Sequence, residues 1–231
     1  MKIGVGVTFI KGIREQFYKN WFWKMEAGLL GDADFTNVVT IDDPENRKGV
    51  AHQKNECLRN LKDCDHIFLF DDDTWPIHPD WYKVFIDAAA EAGQEHLMYI
   101  APFTHSRGEN PKPTDCIPFK NLLKYEISHG CMLYFTKKCI EVAGGFDERF
   151  KIYGYEHSEL SRRIYNIGLT SAPFLTIPDV QKYIHACDFD GYSDGTKEQG
   201  NSTDGLDLTE TLRQNSRLYI QLQHSKTKIP L

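Results

Sequence analysis

The sequence predicts an α/β protein, a mainly parallel central sheet flanked by helices with a small second sheet beside it. Three observations carry that prediction. Short apolar runs, too brief for helices, alternate along the first hundred residues with longer stretches of helical periodicity. The run Ile67-Phe68-Leu69-Phe70 is apolar at every position, as expected of a strand covered on both faces. That run ends in three consecutive carboxylates, Asp71, Asp72 and Asp73, at the edge where open α/β sheets bind ligands.

Taken in order, Ile3 to Phe9 alternate small and β-branched residues and read as the first strand. From Ile13 to about Leu30, Phe17, Trp21, Met25 and Leu29 recur every four residues, one face of a helix that Gly31 closes, with Trp21 and Trp23 read as core. Phe35 to Ile41 is the second strand, running into Asp42, Asp43 and Pro44. A helix follows from near Gly49, with Val50, Ala51, Cys57, Leu58 and Leu61 on its apolar face. After the acid-tipped strand, a helix starts around Pro79 and Asp80 and ends at Gly93, and Leu97 to Ala101 forms a fourth short strand.

Beyond residue 101 the elements are shorter. Pro102 to Phe119 is a loop or flap, and Tyr125 to Phe135 is strand-like with an interruption at His129-Gly130. Helices are expected over Lys137 to Val142 and Tyr155 to Ile167, and short strands over Thr170 to Ile177 and Val180 to Ala186. Asp188 to Gly205 is rich in Gly, Asp, Ser and Thr and reads as a mobile loop, and Leu206 to Leu222 as a terminal helix. The expected organisation is a single domain over 1–231. Its nucleotide-binding half covers about 1–101, a catalytic half about 102–187, the loop 188–205, and the helix and tail 206–231.

The totals fit an ordinary folded protein: 231 residues, 41% apolar, with a formal net charge of -6 that argues mildly against general nucleic-acid or anionic-membrane binding. Six scattered cysteines form no CxxC pair and no zinc spacing, and read as buried reduced thiols. No window reaches the roughly eighteen apolar residues of a membrane helix, so a soluble cytoplasmic protein without membrane insertion is expected. No GxGxxG follows the first strand and no GxxxxGK[ST] occurs, so phosphate must be handled otherwise; a cation held by carboxylates is the evident means.

Four stretches together resemble the GT-A glycosyltransferases, especially the family 2 type that uses nucleotide-sugar donors. They are Asp42-Asp43 with Lys48 to Asn55; LFDDDTWPIHPDW, similar to the DxD motif; Gly144-Gly145-Phe146-Asp147-Glu148 followed by Gly154-Tyr155-Glu156-His157-Ser158-Glu159-Leu160 and Arg163; and the late His185. The resemblance covers about residues 1 to 187. It implies a metal-dependent transfer of a sugar from a nucleotide-diphosphate donor, a UDP-sugar foremost, to a hydroxyl on a glycan, a protein or, least expected, a nucleic acid.

The resemblance also implies roles. Asp73, Asp71 and His185 would hold Mn²⁺ or Mg²⁺, a Lewis acid for the departing diphosphate. Thr8, Asp42, Asp43, Gly49, Lys54, Asp71 and Asp72 would line the donor side, and Trp75 and Glu159 the sugar or acceptor; His105, near the predicted cleft, is a further sugar contact, while Phe9 and Arg14 beside Thr8 are read as plain structure. Glu159 is equally read as a helix ion pair with Arg162 or Arg163, and Trp75 more readily as packing. Inverting members place an Asp where this chain has His157. Histidine, with an unperturbed pKa of about 6.5, is a competent base or an orienting donor, and Glu156 is the alternative base. Two other readings stay open: a nucleotidyltransferase on a related scaffold, disfavoured by the glycine-poor VTFIKGIRE, and a non-catalytic nucleotide-sugar or glycan-binding subunit.

Overall fold

The computed structural model describes residues 1–10, 34–43, 45–100, 116–186 and 207–231. The central sheet contains β1 (Lys2–Ile10), β2 (Asp34–Asp42), β3 (His66–Asp71), β5 (His96–Met98) and β8 (Met132–Thr136), in the order β2-β1-β3-β8-β5. β1 pairs in parallel with β2 and with β3, while β8 runs antiparallel to both β3 and β5. Four strands therefore share one direction, as the sequence predicts, and β8 enters between two of them the other way. A strand arriving from beyond the residue 101–115 stretch is not tied by a local crossover, so strand-helix alternation says nothing about where it inserts.

Both faces of the sheet are covered, which is why β3 reads as an unbroken apolar run. Phe68 and Phe70 face a cluster with Trp81 and Phe85 of α2 (Trp81–Ala92). Ile67 and Leu69 face the opposite cluster with Cys57 and Leu58 of α1 (Val50–Asn60) and Leu160 and Ile164 of α4 (Glu156–Asn166). Burying side chains of this size contributes about 1.5–3 kcal/mol each, so β3 is anchored from both sides and its acidic tip has a fixed position. α2 ends where expected, at Gly93 in the left-handed conformation with φ 70°.

The remaining elements form two small sheets. β6 (Cys116–Phe119), β7 (Leu122–Tyr125) and β9 (Leu175–Thr176) make one, and β4 (Thr74–Pro76) pairs antiparallel with β10 (Ile184–Ala186) in the other. The strand-like stretch from Tyr125 to Phe135 is therefore two strands in different sheets, divided at the His129-Gly130 turn. The strand expected over Thr170 to Ile177 contracts to β9, and Val180–Lys182 is a 3₁₀ turn ahead of β10. α3 (Lys137–Ala143) and α5 (Thr209–Leu222) lie within a few residues of their expected bounds. The helix read over Ile13 to Leu30, most of the flap, and the loop from Asp188 lie outside the described residues. Among the described residues no helix is long and apolar enough to cross a membrane. Cys57, Cys64, Cys131 and Cys139 are buried free thiols, as read, and Cys116 is a half-buried one.

His96 of β5 ties the sheet to α4. Its Nδ1 lies 2.7 Å from the Tyr134 carbonyl, which only accepts, so Nδ1 carries the proton and Nε2 accepts from the Ser161 hydroxyl at 2.8 Å. The ring stacks on Phe135 at 4.6 Å. Burial lowers its pKa to about 4, against a smaller upward pull from the Tyr134 carbonyl. The folded state thus takes up this proton later than the unfolded chain, so stability is lost as pH falls from about 6.5 towards 4. We expect this histidine alone to remove about 2 kcal/mol of unfolding free energy between pH 8 and pH 5. Urea unfolding at the two pH values checks it: His96→Gln should shrink the difference by that amount, and an unchanged difference would refute the assignment.

Candidate active site

The C-terminal ends of β1 and β3, the segment before α1 and the start of α4 enclose a cavity of about 320 Å³. Parallel strands put their carboxyl ends on one edge, so Thr8 of β1 sits directly opposite Asp71 of β3. Thr8, Asp42, Asp71, Asp72, Asp73, Glu156 and His157 all line this cavity. Seven residues spread over 150 positions of sequence are thereby brought to one place.

The acids are fixed from behind by Lys54 of α1. Its ammonium, 1% exposed, lies 3.1 Å from Asp71 Oδ1 and donates to the Gly130 carbonyl at 2.9 Å. Burial acts to lower the Lys54 pKa, but Asp71 and Glu156 outweigh it and hold the ammonium charged. Burial raises the Asp71 carboxyl, and neighbouring Asp73 adds to this against the pull of Lys54. Lys54 is thus a strut inside the protein and not a phosphate contact on the cavity wall.

At the opposite wall, Glu156 and His157 begin α4. The Glu156 carboxylate accepts from the Gly154 amide through Oε2 at 2.7 Å, and its Oε1 lies 3.1 Å from His157 Nδ1. Burial would raise the Glu156 pKa, yet His157, Lys54 and the backbone bring it down to about 2. A carboxylate so stabilised is a weak proton acceptor and a strong hydrogen-bond acceptor. With Nδ1 donating to it, the imidazole presents Nε2 as the nitrogen with base capacity. Gly130 makes room for this ring, since a Cβ there would lie 2.4 Å from His157 Nδ1.

Other predicted site residues serve as scaffold. Asp42 lines the cavity, but its two oxygens also accept from the Lys48 and Gly49 amides at 3.1 and 3.2 Å, fixing the turn into α1. Asp43 is exposed and accepts from the Glu45 amide. Gly49, with φ 92°, packs on the Ile152 backbone, where a Cβ would lie 2.8 Å from the Ile152 nitrogen. The structure does not bring Glu159 to the cavity: its carboxylate takes two bonds from Arg163, at 2.9 and 3.0 Å, and both side chains are at most 2% exposed. Arg163 also donates to the Ala143 and Gly145 carbonyls, binding α4 to the glycine loop. Nor does Trp75 reach the cavity; it is buried across the β4-β10 ribbon from His185, ring centroids 4.7 Å apart.

The metal expectation fits in part. Pairing of Ala186 with Thr74 sets the strand of His185 beside the acid run. Among the described residues, however, no group of three or more His, Cys, Asp or Glu side chains is arranged to hold an ion. What the cavity offers is five lining carboxylates, Asp42, Asp71, Asp72, Asp73 and Glu156, with Arg47 as the one lysine or arginine among the described lining residues. That donor set suits a hard divalent cation held by one or two carboxylates and completed by substrate oxygens, in place of a cage made by protein alone. Sequence reasoning missed Arg47, Gln53, Ile152 and Tyr153, which line the same cavity. A cation five residues beyond the acidic strand end at Asp42 was the available signal for Arg47; Ile152 and Tyr153 carried none.

Comparison with known proteins finds glycosyltransferases. Residues 116–186 match the family model described as the N-terminal domain of galactosyltransferase. An uncharacterised glycosyltransferase of Acanthamoeba polyphaga mimivirus is 28% identical over 132 residues, 56% of this chain and 51% of the relative. Among solved structures, a Drosophila β1,4-galactosyltransferase 7 in complex with manganese, UDP-Gal and xylobiose has a TM-score of 0.59 at 16% identity, covering 92% of this chain and 79% of that one. A Pyrobaculum calidifontis mannosyltransferase in complex with GDP-Man and Mn²⁺ gives 0.54 at 16% identity over 77% and 55%. S. aureus TarS gives 0.59 at 14% over 98% and 67%. The chain has the fold of these GT-A glycosyltransferases. It spans about half the length of the curated relative it matches.

The placement of Glu159 is open to a direct test. Glu159→Ala leaves a buried guanidinium without its carboxylate, and should lower unfolding free energy by about 3–5 kcal/mol. Urea unfolding monitored by tryptophan fluorescence measures it, and a loss below about 1 kcal/mol, the scale of an exposed pair, would contradict a structural role.

Proposed function

We propose that this chain transfers a sugar from a nucleoside-diphosphate sugar, a uridine diphosphate sugar foremost, to a hydroxyl acceptor, with Mn²⁺ or Mg²⁺ as cofactor. The observation that carries the proposal is the meeting, across one cavity, of the acid run at the end of β3 with the Glu156–His157 pair at the start of α4. The Mn²⁺ complexes of the galactosyltransferase and the mannosyltransferase support the cofactor, and their UDP-Gal and GDP-Man ligands support the donor class.

Asp73 and Asp71 supply the carboxylate oxygens for the cation, and His185 is the nitrogen donor of this proposal. When bound, the cation neutralises charge that develops on the departing diphosphate. Asp42 and Thr8 lie on the nucleoside side, and Arg47 adds a guanidinium suited to phosphate oxygens. His157 removes the proton from the acceptor hydroxyl through Nε2. Glu156 holds the imidazole by Nδ1 and stabilises the imidazolium as it forms. This division of labour favours His157 over Glu156 as the base, because the Glu156 carboxylate is already engaged by the Gly154 amide and His157 Nδ1.

The test is incubation of the purified chain with a panel of nucleotide sugars, Mn²⁺ and sugar acceptors. Turnover should appear with one donor and fall about 100-fold or more in His157→Ala, with Asp73→Ala inactive. Donor binding by calorimetry without turnover in any combination would favour a binding module. Full turnover in His157→Ala would exclude histidine as the base.

A further inference from the structure

The structure assigns Asn215, on the C-terminal helix α5, as a positioning residue for the cavity wall that carries Glu156; its kinetic consequence rests on the functional reading above. The residue lies outside the segment that matches the family model. Its side chain is 2% exposed, and both ends of its amide are hydrogen-bonded. Oδ1 accepts from the Lys151 amide at 3.2 Å, while Nδ2 donates to the Lys151 and Tyr153 carbonyls at 2.9 and 3.0 Å. One amide group thus grips both sides of Ile152.

Ile152 needs that grip. Its φ is 58°, in the left-handed region where a β-branched side chain is strained and where glycine would sit without penalty. The strain serves the cavity: Ile152, Tyr153 and Gly154 line it. In this conformation the Ile152 carbonyl accepts from the Val50 amide at 2.7 Å and the Gly154 amide reaches the Glu156 carboxylate at 2.7 Å. The connection runs from α5 through residues 151–154 to Glu156 and so to His157. Asparagine is the residue type this demands, because aspartate would face two carbonyl oxygens with a carboxylate and leucine would bind neither. α5 has independent anchors in the Arg162 bond to the Tyr219 hydroxyl at 3.0 Å and the Asn166 bonds to the Gln223 and Ser225 carbonyls. Truncating Asn215 therefore loosens the loop without undocking the helix.

Two measurements test this. In amide hydrogen exchange, Asn215→Ala should speed exchange at Val50 and Gly154 about tenfold or more, with β3 and residues 219–222 of α5 unchanged. Asn215→Asp should do the same, so the result does not hang on one variant's folding. In kinetics, Asn215→Ala should lower turnover about tenfold or more in the natural background. In an Ile152→Gly background, where no strain has to be held, the same change should lower it less than about threefold. Equal losses in the two backgrounds, or faster exchange throughout α5, would overturn the proposal and leave Asn215 as ordinary helix packing. Local loop opening in a protein that turns over no nucleotide sugar would sustain the positioning role and count against the functional reading instead.

Discussion

The interaction on which the site depends is the buried ammonium of Lys54. An unpaired charge in that position would cost several kcal/mol, so α1, the end of β3 and the His129-Gly130 turn cannot drift apart without exposing that cost. Asp71 and the Gly130 carbonyl are its direct partners, and Glu156 lies within its electrostatic reach. Each partner has a second duty. Asp71 opens the acid run, Gly130 leaves the space His157 occupies, and Glu156 holds the imidazole. One cation behind the cavity thereby sets the relative positions of groups that face each other across it.

Around this strut, the residues that look most like chemistry in the sequence are largely joinery. Asn55 forms a two-way bond with the Phe146 backbone, accepting its amide at 2.7 Å and donating to its carbonyl at 3.0 Å, and also reaches Glu148. The helix start and the glycine loop, two separate parts of the family pattern, are thus halves of one clasp. Glu159 and Arg163 form a second clasp, between α4 and the carbonyls of the same loop. Buried, hydrogen-bonded polar pairs of this kind fix one arrangement of backbone, as the proposed sugar transfer requires.

The fold was legible because its signals are local. An unbroken apolar run, helix-period stripes and Gly93 at a helix end depend on neighbouring residues alone. So were the acids after β3, since direction along a parallel strand decides which edge they occupy. The antiparallel entry of β8 was not legible, because strand pairing across a long connection is a tertiary outcome. The fate of Glu159 could not be decided either: a carboxylate three residues after Glu156 and four before Arg163 has the spacing of both a substrate contact and an ion pair. Only burial of the pair separates them. Ile152 and Asn215 escaped for a further reason. Their importance lies in a backbone conformation and in a distance of some sixty residues along the chain, neither of which leaves a mark on composition or period.

These features combine into a single constraint on the cavity. The Glu156–His157 pair and the acid run face each other across it, yet one wall is a segment with left-handed backbone at Ile152 and Tyr155, where non-glycine residues are strained. Left alone, such a segment would relax and carry Glu156 with it. It is prevented from three directions: by Val50 and Gly49 of the α1 entrance, by Asn215 of α5, and by the ion pair that pins α4 to the glycine loop. The parallel sheet supplies the edge on which the acids stand. The conformation that makes the opposite wall usable is supplied by a helix that the acid-bearing half of the chain does not contain.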